Sequence, residues 1–183
     1  VGACQIRLDI KQPLEQWVEQ RKKFKPNIII GYPSAIKILT ELVEQGQVKL
    51  SVLRVVSCGE PLGAGQRRYL EKELGAAVIN VYGASESLAL GVDDGSGMLL
   101  FDDLNVVEVV DGEMYLTSLY NFAQPLIRYH LTDSLTLAEP VKSPFTRAAG
   151  LLGRSEDMLW FEDSLGHRDF LHPLAIEGFC VEG

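Results

Sequence analysis

A chain of 183 residues with 17 basic and 25 acidic side chains carries a formal net charge of −8 and is long enough for one domain with a real core. At 46% hydrophobic and 23% charged residues it is neither disordered nor collagen-like, and no apolar run approaches the roughly 20 residues of a membrane span. The acidic balance, with cations scattered apart from Arg21, Lys22, Lys23 and Lys25, argues against a phosphate-backbone partner, so neither nucleic acid nor membrane is expected.

In chain order, Leu14, Trp17, Val18 and Arg21 follow helical spacing after Pro13, and Lys25-Pro26-Asn27 stops that helix before the apolar run Ile28-Ile29-Ile30, read as a buried strand. After Gly31-Tyr32-Pro33, Ser34 is placed to cap a helix with Ile36, Leu39 and Val43 on one face, ending at Gly46. A strand over 52–57 follows, then the loop Cys58-Gly59-Glu60-Pro61, a helix over 64–74 stopped by Gly75, and a strand over 77–80. Strands alternating with helices imply a parallel sheet.

Beyond Gly91 the pattern changes to short strands at 104–110, 113–119, 126–131 and 135–138, separated by turns such as Asp111-Gly112. The expected fold class is therefore α/β: part of a parallel β-sheet with flanking helices, followed by an antiparallel β meander or small barrel. The expected division is 1–91, 92–153 and 154–183, with Asp93-Asp94-Gly95-Ser96-Gly97 as a surface loop at the first boundary. Cys4, Cys58 and Cys180 form no CxxC pair and His130, His167 and His172 have no metal-ligand spacing, so a reducing cytoplasm fits and no structural metal site is indicated. The chain opens on Val1-Gly2-Ala3-Cys4 and stops at Gly183 just after an apolar stretch, which reads as a piece of something longer.

Open parallel sheets bind ligands beyond the carboxyl ends of their strands, and three strands deliver loops to one edge here: Gly31-Tyr32-Pro33-Ser34, Ser57-Cys58-Gly59-Glu60-Pro61 and Tyr82-Gly83-Ala84-Ser85-Glu86. The last offers an aromatic face for a base, small residues for close backbone approach, a hydroxyl for a phosphate oxygen and a carboxylate for Mg²⁺. Plainer readings exist for each: a turn with a solvated Glu, a strand exit plus helix cap at 32–34, a helix approach at Glu60-Pro61, an exposed ion-pair partner at Arg154.

Four segments in order resemble the adenylate-forming superfamily of acyl-coenzyme A synthetases, most closely its phenylacetate-coenzyme A ligase branch. Asn80-Val81-Tyr82-Gly83-Ala84-Ser85-Glu86 is similar to the family's YGxTE segment. The resemblance implies that Tyr82 stacks on adenine beside Gly83, that Ser85 meets the phosphates and that Glu86 holds Mg²⁺. Pro125-Leu126-Ile127-Arg128-Tyr129-His130-Leu131-Thr132-Asp133 resembles the PLIRYRTGD strand, in which the Asp takes both ribose hydroxyls; His130-Leu131-Thr132 departs from Arg-Thr-Gly and loses a cation and a glycine. Gly153-Arg154-Ser155-Glu156-Asp157-Met158 is similar to the GRxDDM hinge, so Arg154 is implied at the ribose and Glu156 as the pivot between two domains. By the same resemblance, Gly59 and Glu60 run along adenine, Tyr32 and Ala84 line the acyl pocket, and the segment from Gly166 to Pro173 is a variant hairpin after the hinge.

The activity implied is attack of a small carboxylic acid, an aryl acid being the expectation, on the α-phosphate of ATP with Mg²⁺, then transfer of the acyl group to coenzyme A. The family's Ser/Thr/Gly-rich phosphate loop has no counterpart in the first twenty-five residues, where Gly2 is the one glycine, and the Lys-bearing domain after the hinge is missing, so the chain alone is expected to be inactive. Two other readings stay open: a degenerate adenylation fold that binds a nucleotide or partner without chemistry, and adenylation followed by transfer to a different acceptor. Apolar surface left by missing flanks also makes a homodimer an expectation of the isolated chain.

Overall fold

The computed structural model describes residues 4–139, 144–154, 159–162 and 168–171. Helix α1 (Leu14–Lys23) is anchored by Trp17, 3% exposed, whose indole N–H donates to the Asp9 carbonyl at 2.9 Å. Three parallel strands follow, β1 (Ile28–Gly31), β2 (Arg54–Cys58) and β3 (Val78–Tyr82), linked by α2 (Pro33–Glu44) and α3 (Ala64–Leu74). Parallel neighbours need crossovers, and the two helices supply them.

The chain then reverses. Strands β4 (Gly91–Asp93) and β5 (Met98–Leu100) run antiparallel beside β3, and β9 (Asp133–Leu137) and β10 (Arg147–Arg154) extend the same sheet to seven strands in the order β1-β2-β3-β4-β5-β10-β9. Between them β6 (Asn105–Val110), β7 (Glu113–Ser118) and β8 (Tyr129–Leu131) form a separate three-stranded antiparallel sheet, and β11 (Leu159–Glu162) pairs with β12 (Arg168–Leu171). The fold is α/β, as the alternation implied, but the expected meander is narrower: β6, β7 and β8 alone make it, while the other antiparallel strands join the parallel ones in one mixed sheet. Of the expected surface loop 93–97, residues 94–96 are exposed while Asp93 ends β4 and is half-buried, and the hydroxyl and amide of Ser96 hold the Asp94 carboxyl below its usual range.

Two readings of local sequence are corrected. Among the described residues the run Ile28-Ile29-Ile30 is an edge strand, not a buried one, with Ile28 and Ile30 53% and 70% exposed on the face opposite Ile29. The strand expected over 126–131 begins at Tyr129, because Arg128 takes a left-handed φ of 48° that interrupts extended backbone.

Two apolar clusters hold the layers together. Ile36, Val52, Val55, Leu70, Leu74, Ala76 and Val78 gather where α2 and α3 cover the parallel strands. Leu90, Met98, Leu100, Met114, Leu116, Leu131 and Leu135 form a second cluster with Tyr82 where the mixed sheet meets the small one. Each fully buried aliphatic side chain in them is worth about 1.5–3 kcal/mol. Among the described residues one charge is buried as well: Arg67 of α3, 9% exposed, donates to the Val78 carbonyl of β3 and to the Asp93 carboxylate of β4 at 2.8 Å. Among the described residues no helix is long and apolar enough to cross a membrane.

Candidate functional site

Because β1, β2 and β3 are parallel, their carboxyl ends open on one edge, with Gly31 beside Ser57 and Cys58 beside Val81 in register. The structure brings the first two loops into contact. A Cβ on Gly59 would lie 2.6 Å from the Tyr32 ring, and Gly59 has a φ of 78°, so only glycine lets the aromatic ring rest on that backbone. Gly59→Ala is therefore expected to cost about 1–2 kcal/mol through the left-handed backbone alone, and to push Tyr32 aside; urea unfolding and Tyr32 solvent accessibility measure both.

Helix α2 begins differently from its sequence expectation. Tyr32 is the N-cap residue, Pro33 takes the first helical position where its missing N–H costs nothing, and no side chain of the helix itself caps the turn. Ser34 is a donor rather than the cap: its amide and hydroxyl donate to Oε2 and Oε1 of Glu60, at 3.0 and 2.9 Å. The Glu60 side chain, expected along adenine, thus faces the start of α2.

After β3 the chain makes a tight turn closed by Ala84 N–H to the Ser87 carbonyl at 2.8 Å and Ser87 N–H to the Ala84 carbonyl at 3.2 Å. A Cβ on Gly83 would lie 2.5 Å from the Leu88 carbonyl oxygen, which explains the glycine there. Gly83 and Ser85 are exposed and Ala84 and Glu86 half-buried, and Glu86 makes no hydrogen bond or ion pair among the described residues. The outgoing segment is tied down by Asn105, 2% exposed, whose Nδ2 donates to the Ala89 carbonyl at 2.8 Å. Nothing local marks Asn105 for this, since within the strand expected over 104–110 it shows no partner from outside the strand.

Tyr82 is placed against expectation. Strand alternation sets it on the same inward face as Val78 and Asn80, leaving the residue 6% exposed with its hydroxyl on the Met114 sulfur at 3.5 Å. It presents no open face to a base. Asn80 on that face accepts from the buried Ser57 hydroxyl at 2.8 Å.

Asp133 and Arg154, two residues assigned to one ribose, are direct cross-strand partners on β9 and β10. The approach to Asp133 is fastened from outside the sheet. His130 pairs with Glu113, Arg128 pairs with Glu108 at 3.2 Å, and the Arg128 guanidinium lies 5.4 Å from the centre of the Tyr115 ring. The first of these contacts falls within the His130-Leu131-Thr132 departure. Glu156, Gly166 and Pro173 lie outside the described residues.

Among the described residues no three His, Cys, Asp or Glu side chains gather as a metal cage. Such a cage is not what Mg²⁺ requires, since it takes one or two carboxylates from a protein and completes its octahedron with phosphate oxygens and water. A groove of about 520 Å³ between α1 and α2, floored by Leu14, Val18, Ile38 and Leu42, involves none of these residues.

No family model matches the chain. Phenylacetate-coenzyme A ligase of Pseudomonas putida is 28% identical over 165 residues, covering 79% of this chain and 38% of that enzyme. Indoleacetate-lysine synthetase of Pseudomonas savastanoi is 28% identical over 137 residues, covering 71% of this chain and 34% of its own. Among solved structures, 2-hydroxyisobutyryl-CoA ligase in its postadenylation state superposes with a TM-score of 0.70 at 25% identity, over 90% of this chain and 38% of that one. By sequence and by fold the chain is a homologue of the adenylate-forming CoA ligases, related to the phenylacetate-coenzyme A ligases over about 38% of their length.

Proposed function

We propose that this chain supplies the nucleotide- and acid-binding part of an AMP-forming acid-thiol ligase. A carboxylate attacks the α-phosphate of ATP and pyrophosphate leaves; the coenzyme A thiol then attacks the acyl carbon of the adenylate, giving up its proton, and AMP leaves. The observation that supports the reading is the register pairing of Asp133 with Arg154, which makes the two residues neighbours on β9 and β10.

Each residue then has a task. Asp133 accepts both ribose hydroxyls, and Arg154 steadies the same sugar. The backbone at Gly83 and Ala84 admits the adenylate closely, and the exposed Ser85 hydroxyl donates to a phosphate oxygen. Glu86 supplies one protein carboxylate to Mg²⁺, which when bound neutralises charge on the triphosphate as one anion attacks another. The ring of Tyr32, resting on Gly59, forms a wall for the acid, and the 58–61 backbone runs along the base. An aryl acid fits such a wall, as offset aromatic contact adds to area burial.

The test is acid-dependent pyrophosphate release from ATP by the whole protein across a panel of aryl and fatty acids. Glu86→Gln is expected to lower kcat by about 10²–10³ and Asp133→Ala to raise the KM for ATP, because preorganised charge stabilisation carries such factors. A folded, nucleotide-binding protein that releases no pyrophosphate with any acid would instead be a degenerate binding fold. The relative named for joining indoleacetate to lysine favours one second reading, in which an amine replaces the thiol as acceptor. Product formation with coenzyme A against lysine, from one preformed adenylate, separates the two.

A further inference from the structure

The geometry points to Glu60 as a positioning residue: its carboxylate latches the loop after β2 onto the first turn of α2, so that Tyr32 and the 58–61 segment keep one spacing. Glu60 and Ser34 lie 26 residues apart, yet both carboxylate oxygens are engaged, Oε2 by the Ser34 amide at 3.0 Å and Oε1 by its hydroxyl at 2.9 Å. A two-pronged contact fixes orientation as well as distance, which a single hydrogen bond does not.

The latch is the outermost of three successive ties between the same two segments. Innermost is the backbone pairing of Gly31 with Ser57. Next is the ring of Tyr32 against Gly59, so close that a Cβ there would lie 2.6 Å away. Glu60 on Ser34 closes the set and occupies the end of α2 that lacks a cap of its own, where amide donors and the helix dipole both favour an anion.

Charge and exposure decide what the latch does. Ser34 and Glu60 are exposed, and a contact in water adds little to global stability. Its effect is local: without it, the loop after β2 and the N-terminal turn of α2 drift apart and Tyr32 loses its seat. On the ligase reading above, on which this consequence rests, Glu60 sets the spacing between the acid wall and the base-lining backbone. Its carboxylate is committed to Ser34, so the base meets the loop through backbone groups.

Glu60→Ala, Glu60→Gln, Ser34→Ala and Ser34→Thr in the whole protein test this. The first readout needs no ligand: amide hydrogen exchange at Ser34 and the nitration rate of Tyr32 by tetranitromethane, both resolved by mass spectrometry or NMR. Glu60→Ala is expected to speed exchange at Ser34 about tenfold, the factor for losing one charge-assisted bond, and to speed nitration of Tyr32 with the melting temperature nearly unchanged. Glu60→Gln, with one acceptor oxygen left, falls between, and Ser34→Thr, which keeps both donors, behaves as wild type. In the pyrophosphate assay Glu60→Ala raises the KM for acid and for ATP together while kcat holds, a split that a general loss of stability does not produce. Unchanged exchange and nitration in Glu60→Ala would overturn the latch. Shifted exchange and nitration in a protein that releases no pyrophosphate would uphold the latch and remove the ligase reading instead.

Discussion

Asp93→Asn is expected to lower the unfolding free energy by about 2–4 kcal/mol, a large effect for one side-chain atom. The reason is what it strands. The Arg67 side chain is 10% exposed and its guanidinium spans from α3 to β3 and β4, where it meets the Val78 carbonyl, the Asp93 carbonyl at 3.3 Å and the Asp93 carboxylate at 2.8 Å. Neutralising Asp93 leaves a nearly buried cation without its anion, whereas the acceptor that Asp93 offers to the Gly95 amide at 2.7 Å survives in Asn. The full 3–5 kcal/mol of a broken buried pair is reduced because the Asp93 side chain is 26% exposed and water reaches it. Replacing both partners tells a different story. Arg67→Met with Asp93→Asn removes the cation with the anion and is expected to be less destabilised than Asp93→Asn alone. Urea unfolding of the four-member cycle measures this, and single effects that simply add within about 0.5 kcal/mol would show the pair to be uncoupled. The clip matters to the site because it pins α3 to the strand pair where the sheet changes from parallel to antiparallel, just beyond the Gly83 turn.

Part of this architecture was legible in the residues and part was not, and the division follows the range of the interactions. Helix α3 was readable because Gly75 stops it locally, and the parallel order of β1, β2 and β3 because helices alternate with strands. Ile28 and Ile30 misled because an apolar run states what a strand is made of, not which face another element covers. Ser34 misled for a related reason: a serine at a helix start reads as an acceptor for its own turn, while its actual partner, Glu60, arrives from 26 residues away. Asp133 and Arg154 were each readable as motif residues, but their pairing exists only once β9 and β10 run antiparallel in register. The mixed sheet was hidden for the same cause. Nothing in residues 133–137 says that they will extend the sheet begun at 28–31 rather than close a barrel.

Tyr82 is the position where motif and structure pull apart most, and substitution there is expected to have a larger stability effect than the clip. The side chain is sealed among Leu90, Met98, Met114 and Leu116, so Tyr82→Ala opens a cavity and should cost about 3–5 kcal/mol, as aromatic truncations in packed cores do. Tyr82→Phe keeps the ring and removes the hydroxyl, with its contact to the Met114 sulfur, and should cost about 0.5–1.5 kcal/mol. Tyr82→Leu discriminates between the two roles the ring has been given. It fills most of the volume, keeps the fold and removes the aromatic face. Aromatic stacking on a base is worth about 1–3 kcal/mol, or roughly five- to 150-fold in affinity, so a ring that stacks on adenine must lose AMP binding by that factor in Tyr82→Leu. A ring held in the core must not. The 6% exposure of Tyr82 and the inward face it shares with Val78 and Asn80 lead us to expect AMP affinity within about twofold of wild type, measured by calorimetry on protein shown folded by its urea transition. A fall of tenfold or more in a stable Tyr82→Leu protein would mean that the ring leaves the core to meet the base, and that the loop from Gly83 to Leu88 moves with it.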